Sequence, residues 1–121
     1  MTLDILAVDD SRTIRDLLES ALKARGFRVR LADDGEEGLK ALEGFDPDII
    51  ITDINMPRLD GFGFIDAIRD RAASRHTPIL VLTTESADEL KARARNAGAT
   101  GWIVKPFAQD KLIRALRMVA G

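Results

Sequence analysis

A three-layer α/β fold, with a five-stranded parallel sheet held between helices, is predicted by three features of this sequence. Five short apolar runs alternate with amphipathic stretches of helical spacing along its 121 residues. Helix start and stop residues fall between those runs. The residues just past the runs are mostly acidic, hydroxylic or basic, as expected at the edge of a parallel sheet where ligands bind.

The first run, Ile5-Leu6-Ala7-Val8, is continuously apolar, as a strand buried on both faces must be. Ile14, Leu17, Leu18, Ala21 and Leu22 then recur at helical intervals and predict one buried helix face, ended by Gly26 in a left-handed conformation. The second run, Phe27 to Ala32, alternates apolar residues with Arg28 and Arg30, which suits an edge strand with one wetter face. Asp34-Gly35-Glu36-Glu37 reads as a capping box that opens the second helix. Ile49-Ile50-Ile51 and Ile79-Leu80-Val81-Leu82 are again continuously apolar and predict central strands. Ser86-Ala87-Asp88-Glu89 reads as a second capping box, and Gly98 as the end of the helix that follows it. Trp102-Ile103-Val104 is the last run. Of the two common doubly wound strand orders, 2-1-3-4-5 puts the second strand at an edge and is the one predicted.

Composition narrows the function classes. Residues 1–121 fit one domain and leave no room for a second. Apolar residues make up 45% and charged residues 31%, the balance of a soluble globular chain. The net charge of −2 is built from scattered residues of both signs, which argues against a nucleic-acid surface. With no cysteine, disulfides, thiolate chemistry and cysteine-bound zinc are excluded. No signal sequence or membrane-length apolar stretch is present, so a cytoplasmic location with no membrane partner is expected.

In a parallel sheet all strands end at one edge, so the residues that follow the runs converge there. They are Asp9-Asp10, Asp53, Thr83 and Lys105-Pro106. With strands about 4.8 Å apart, Asp53 sits centrally, Asp10 and Thr83 about one strand to either side, and Lys105 about two strands away, a gap its long stem can largely cross. Three carboxylates so close repel one another unless a cation joins them. An oxygen-only site of this kind suits Mg²⁺. With the cluster neutralised, Asp53 can attack phosphorus and form an aspartyl phosphate. Lys105 would offset charge on the phosphoryl oxygens and the Thr83 hydroxyl donate to one of them.

The set formed by Asp9-Asp10, the segment Asp53-Ile54-Asn55-Met56-Pro57 with Asp60-Gly61, Thr83, and Lys105-Pro106-Phe107 resembles the response-regulator receiver family. The likeness runs from Ile5 to about Val119 and is greatest to the small, stand-alone chemotaxis regulators of the CheY type, which lack an output domain. It implies a flavodoxin/CheY-like fold and a phosphoacceptor switch, not an enzyme, that catalyses its own phosphorylation and dephosphorylation in two-component signalling. It implies Asp53 as acceptor and a sensor histidine kinase or phosphotransfer protein as donor. Mg²⁺ would be held by Asp10 directly, by Asp9 through water, by Asp53 and by the backbone carbonyl of Asn55. Lys105 would hold the phosphoryl group, through a Lys-Pro bond that is cis in the family. Thr83 would swing toward the phosphoryl group and Trp102 turn inward after it. Partner affinity would then change on the face of the fourth helix, fifth strand and fifth helix of a monomer. Asn55 and Glu85 match positions that tune hydrolysis of the aspartyl phosphate.

Two residues depart from the family pattern. Trp102 is larger than the usual Tyr or Phe, so its inward turn needs more room, and core packing is the competing reading for it. Thr84 stands where Ala or Gly is common and would narrow access to Asp53. Helix capping is the plainer reading of Asp9-Asp10 taken alone, and of Asp33-Asp34 in any case. His76, the single histidine, reads as an exposed bystander, and Arg15, Lys23 and Arg25 as a solvated helix face.

Other functions fit less well. A haloacid-dehalogenase-like phosphatase needs a second Asp two residues after the nucleophile, where Asn55 cannot shuttle a proton. A flavodoxin-like carrier needs a phosphate loop after the first strand, where two acids stand instead. No P-loop motif is present. A phosphorelay intermediate remains an alternative use of the same acceptor, and a degenerate docking module is opposed by the intact set of acids, Thr83 and Lys105.

Overall fold

The computed structural model describes residues 2–120. Its strands are β1 (Asp4–Val8), β2 (Arg28–Ala32), β3 (Ile49–Thr52), β4 (Ile79–Thr83) and β5 (Gly101–Val104). Its helices are α1 (Arg12–Ala24), α2 (Gly35–Leu42), α3 (Gly61–Asp70), α4 (Asp88–Ala97) and α5 (Gln109–Ala120). All strand pairs are parallel, in the order β2-β1-β3-β4-β5, as predicted.

The continuous apolar runs are explained by the pleat, which sends alternate side chains to opposite faces. Ile5, Ala7, Ile49, Ile51, Leu80 and Leu82 pack with Leu18 and Leu22 of α1 and Leu112, Ile113 and Leu116 of α5. Leu6, Val8, Ile50 and Val81 pack on the other side with Phe64, Ile65 and Ile68 of α3 and Ala94 of α4. A strand with a core on each face has no polar positions to spare. On β2, by contrast, Arg28 and Arg30 are exposed and Val29 and Leu31 half-buried, as its alternation predicts.

Local signals place most helix ends. Ser11 caps α1 by accepting from the Ile14 amide at 3.3 Å, and Asp34 caps α2 by accepting from the Glu37 amide at 2.9 Å. Gly26 (φ 86°) and Gly98 (φ 118°) take the left-handed conformation past α1 and α4.

Three sequence readings are corrected. Ser86 does not cap α4: the helix begins one residue later, Ala87 holds the cap position, and no side chain accepts from the first turn. Leu17 lies on the rim of the buried face of α1 and is 48% exposed. Arg15 is not merely solvated: its guanidinium donates to the Asp9 carbonyl at 2.7 Å, so it turns back toward the C-terminal edge of the sheet. Among the described residues, no helix is long and apolar enough to cross a membrane.

Candidate functional site

Parallel register sets the site. Val8 of β1 lies beside Thr52 of β3, and Thr83 of β4 beside Val104 of β5, so the next residues emerge together. Asp53 donates its amide to the Val8 carbonyl at 3.0 Å, and Lys105 donates its amide to the Thr83 carbonyl at 2.7 Å. The ladder therefore extends one residue past the strands and holds the acids and the lysine at backbone precision.

Asp9, Asp10 and Asp53 offer carboxylate oxygens within 4.8 Å of one another. Asp9 and Asp53 are buried and Asp10 is exposed. The Lys105 ammonium crosses from the far edge and donates to Asp9 Oδ2 at 2.6 Å and to Asp53 Oδ2 at 2.9 Å. The other oxygens are also engaged: Asp53 Oδ1 accepts from the Ile54 amide at 2.6 Å, and Asp9 Oδ1 from the Ser11 amide at 2.9 Å. The Lys105-Pro106 peptide is cis. Helix capping by Asp9 or Asp10 is set aside, since Ser11 holds that position.

One ammonium among three carboxylates leaves an excess of negative charge. The donors are oxygens, and one acid is open to solvent; this fits a hard divalent cation that keeps part of its water shell. Burial pushes the Asp9 carboxyl above its ordinary value; Lys105 and the Ser11 amide pull it back only in part, and Asp53 adds to the rise. Burial alone would lower the Lys105 ammonium, but its bonds to Asp9 and Asp53 prevail and raise it.

The sign for Asp9 follows from linkage. A carboxyl raised on folding adds stability while protonated and loses it as pH rises through the folded-state value, so its ionisation at neutral pH opposes folding. Asp9→Asn is therefore expected to raise the melting temperature of the metal-free chain. MgCl2 should raise the native melting temperature and that of Asp9→Asn less. Melts with and without MgCl2 check both; a lower metal-free melting temperature in the variant would show that the Lys105 pair outweighs the burial.

The neighbouring candidates meet at Glu85. Its amide donates to the Thr83 hydroxyl at 3.4 Å, its carboxylate accepts from Asn55 Nδ2 at 3.0 Å, and its carbonyl accepts from Trp102 Nε1 at 3.0 Å. Thr83 is fully buried beneath them, while Trp102 is half-buried: its ring packs against the core, as the competing reading held, and its indole nitrogen is tied to Glu85. Thr84 is exposed beside Thr83. His76 is exposed, as expected. Asp34 caps α2 as read, but it also pairs with Arg58.

Sequence reasoning took Arg15 for a solvated residue and passed over Arg58. Arg15 was signalled only by its place one turn past Ser11, and nothing marked its partner as a backbone carbonyl. Arg58 was hidden by its partners, which lie across the fold on the β2–α2 junction.

A family model described as "Response regulator receiver domain" matches residues 5–117. The probable chemotaxis protein CheY of Rhizobium etli is 36% identical over 97% of this chain and 92% of its own length. The Vibrio cholerae chemotaxis protein CheY4 superposes with a TM-score of 0.95 at 42% identity, over 98% of this chain and 99% of that one. The receiver domain of the sensor histidine kinase PA1611 of Pseudomonas aeruginosa, described with a magnesium ion coordinated in its active site cleft, superposes with a TM-score of 0.92 at 30% identity. That alignment spans 100% of this chain and 99% of the other.

Proposed function

The chain belongs to the response-regulator receiver-domain family, and from that premise we propose that it accepts a phosphoryl group on Asp53 with Mg²⁺ and signals by changing conformation. The observation that carries this reading is the Lys105 ammonium bridging Asp9 and Asp53 at 2.6 and 2.9 Å beside a third carboxylate.

Asp9, Asp10, Asp53 and the Asn55 carbonyl would hold the cation, which supplies charge neutralisation at the phosphoryl oxygens. An Asp53 carboxylate oxygen attacks phosphorus of a phosphohistidine on a sensor kinase or phosphotransfer protein. The phosphorus–nitrogen bond breaks and the imidazole leaves, taking up a proton. Lys105 then pairs with the new phosphoryl group in place of Asp53. Thr83 turns its hydroxyl toward the same group, which releases the Glu85 amide it now accepts from. Because Glu85 also receives the Trp102 indole, that movement frees Trp102 to follow. The α4–β5–α5 face then changes its affinity for a downstream protein. Asn55 and Glu85 flank the path of the hydrolytic water. The chain acts in this way as a cytoplasmic monomer and catalyses its own phosphorylation and dephosphorylation.

The test is intact mass after brief incubation with MgCl2 and acetyl phosphate, quenched in acid. One added phosphoryl group, absent when Mg²⁺ is chelated, supports the reading; no adduct under any condition, by small donor or kinase, overturns it.

Thr84 bears on the rate. Thr84→Ala is expected to speed both phosphoryl uptake and its loss by less than about tenfold, which is about 1.4 kcal/mol of barrier. Equal dephosphorylation rates in the two chains would show that Thr84 does not narrow the approach to Asp53.

A further inference from the structure

The segment between Asp53 and α3 is tied down at both ends. Beside the acceptor, the Gly61 amide donates to the Ile54 carbonyl at 2.8 Å and closes the loop on itself. At its far end stands Arg58, which among the described residues is the one non-glycine with positive φ, at 66°. A β-carbon makes that conformation unfavourable, so it persists only where surrounding contacts enforce it.

One such contact is local, the Leu59 amide donating to the Pro57 carbonyl at 2.8 Å across Arg58, and the others come from the β2–α2 junction. The Arg58 guanidinium pairs with Asp34, a buried side chain whose other oxygen caps α2. Glu36 at 3.7 Å and Asp33 at 3.9 Å add two more carboxylates around the same guanidinium. Burial alone would raise the Asp34 carboxyl, but the α2 amides and Arg58 prevail and hold it below its ordinary value. Next door, the Gly35 amide donates to the Leu59 carbonyl at 3.3 Å, an approach so close that a β-carbon at Gly35 would stand 2.7 Å from that oxygen. Between the two tethers Asn55 and Pro57 are exposed and Met56 alone reaches into the core, so packing holds that one side chain and leaves the backbone on either side to the tethers.

We propose that Arg58 is a positioning residue for the acceptor site: by clamping the 54–59 loop onto the start of α2, it holds the Asn55 carbonyl where a cation on Asp9, Asp10 and Asp53 can use it. This inference rests on the receiver reading above. Arg58 touches neither the phosphoryl group nor the cation; it acts through the loop. Its left-handed backbone aims the guanidinium at Asp34, and the buried carboxylate fixes where the loop must lie.

The test is Mg²⁺ affinity of the unphosphorylated full chain, measured by calorimetry with MgCl2, beside thermal stability. Arg58→Ala is expected to weaken Mg²⁺ binding about tenfold, the low end of what removing an outer support costs a metal site. Asp34→Asn keeps the cap oxygen but not the charge and should weaken it to a similar degree. The double variant should lose no more than either single one, because both remove the same clamp. Arg58→Lys should recover most of the affinity. Arg58→Gly separates positioning from stability: it relaxes the backbone, so it should melt no lower than Arg58→Ala yet bind Mg²⁺ as weakly.

Native affinity in Arg58→Ala and Asp34→Asn would overturn the proposal, as would additive losses in the double variant or affinities that simply track melting temperature. A native chain that takes up no Mg²⁺ would overturn the receiver chemistry itself, a result distinct from variants that match a native chain that binds.

Discussion

Asp53→Asn is expected to take up no phosphoryl group under conditions in which the native chain gains one, read by intact mass after acid quench. The amide oxygen carries no negative charge to attack phosphorus, and the amide NH2 would face the Lys105 ammonium, donor against donor, where Asp53 Oδ2 now accepts at 2.9 Å. The substitution should nonetheless fold. The amide oxygen can still accept from the Ile54 amide, which Asp53 Oδ1 does at 2.6 Å, and one of three crowded carboxylates has been neutralised. A folded, non-reacting variant is therefore the expected pair of results. A phosphoryl group on Asp53→Asn at native yield would move the acceptor to another residue, with Asp9 and Asp10 the first to check.

Gly61→Ala is expected to destabilise the chain by about 3 kcal/mol, the upper end of the usual cost of overfilling a packed site. The reason is space rather than backbone conformation. A β-carbon there would stand 2.7 Å from Ile54 Cα, 2.9 Å from Ile54 Cδ1, and closer still to the Asp53 carbonyl oxygen. Two of these are main-chain atoms of the segment that carries the acceptor, so no side chain can rotate away to make room. α3 must move off β3, breaking the Gly61 to Ile54 bond. Denaturant titration gives the stability change, and acetyl phosphate kinetics should show slower uptake in the fraction that stays folded. A loss below about 1 kcal/mol would mean that α3 shifts freely at this point, and that its close approach does not hold Asp53 in place.

The readable and unreadable parts of this protein divide along the distance between partners. Ile49-Ile50-Ile51 announced a strand with a core on each face, and Arg28 and Arg30 an edge, because a strand's pattern records which of its own faces is wet. Asp9, Asp53, Thr83 and Lys105 could be grouped from sequence because parallel strands deliver their ends to one edge whatever else the chain does. The Ser86 capping reading failed for a local reason: a cap one residue off reaches nothing, and cap position depends on where α4 settles against the sheet. Leu17 failed for a similar one, since helical spacing gives the direction of a side chain but not how far the neighbouring layer extends over it.

By itself, then, the sequence determined the layered α/β architecture, the edge position of the second strand and the convergence of three acids and a lysine, which follow from periodicity and from residues set at strand ends. The full strand order was a choice between two common arrangements that the structure settled. Only the tertiary structure decided which oxygens Lys105 bridges, that Glu85 joins Thr83, Asn55 and Trp102, that Arg15 reaches back to Asp9, and that Arg58 ties the acceptor loop to α2. These are contacts between side chains and groups in separate elements or loops. Their directions depend on rotamers and on loop backbone angles, such as the positive φ of Arg58, that no local pattern encodes.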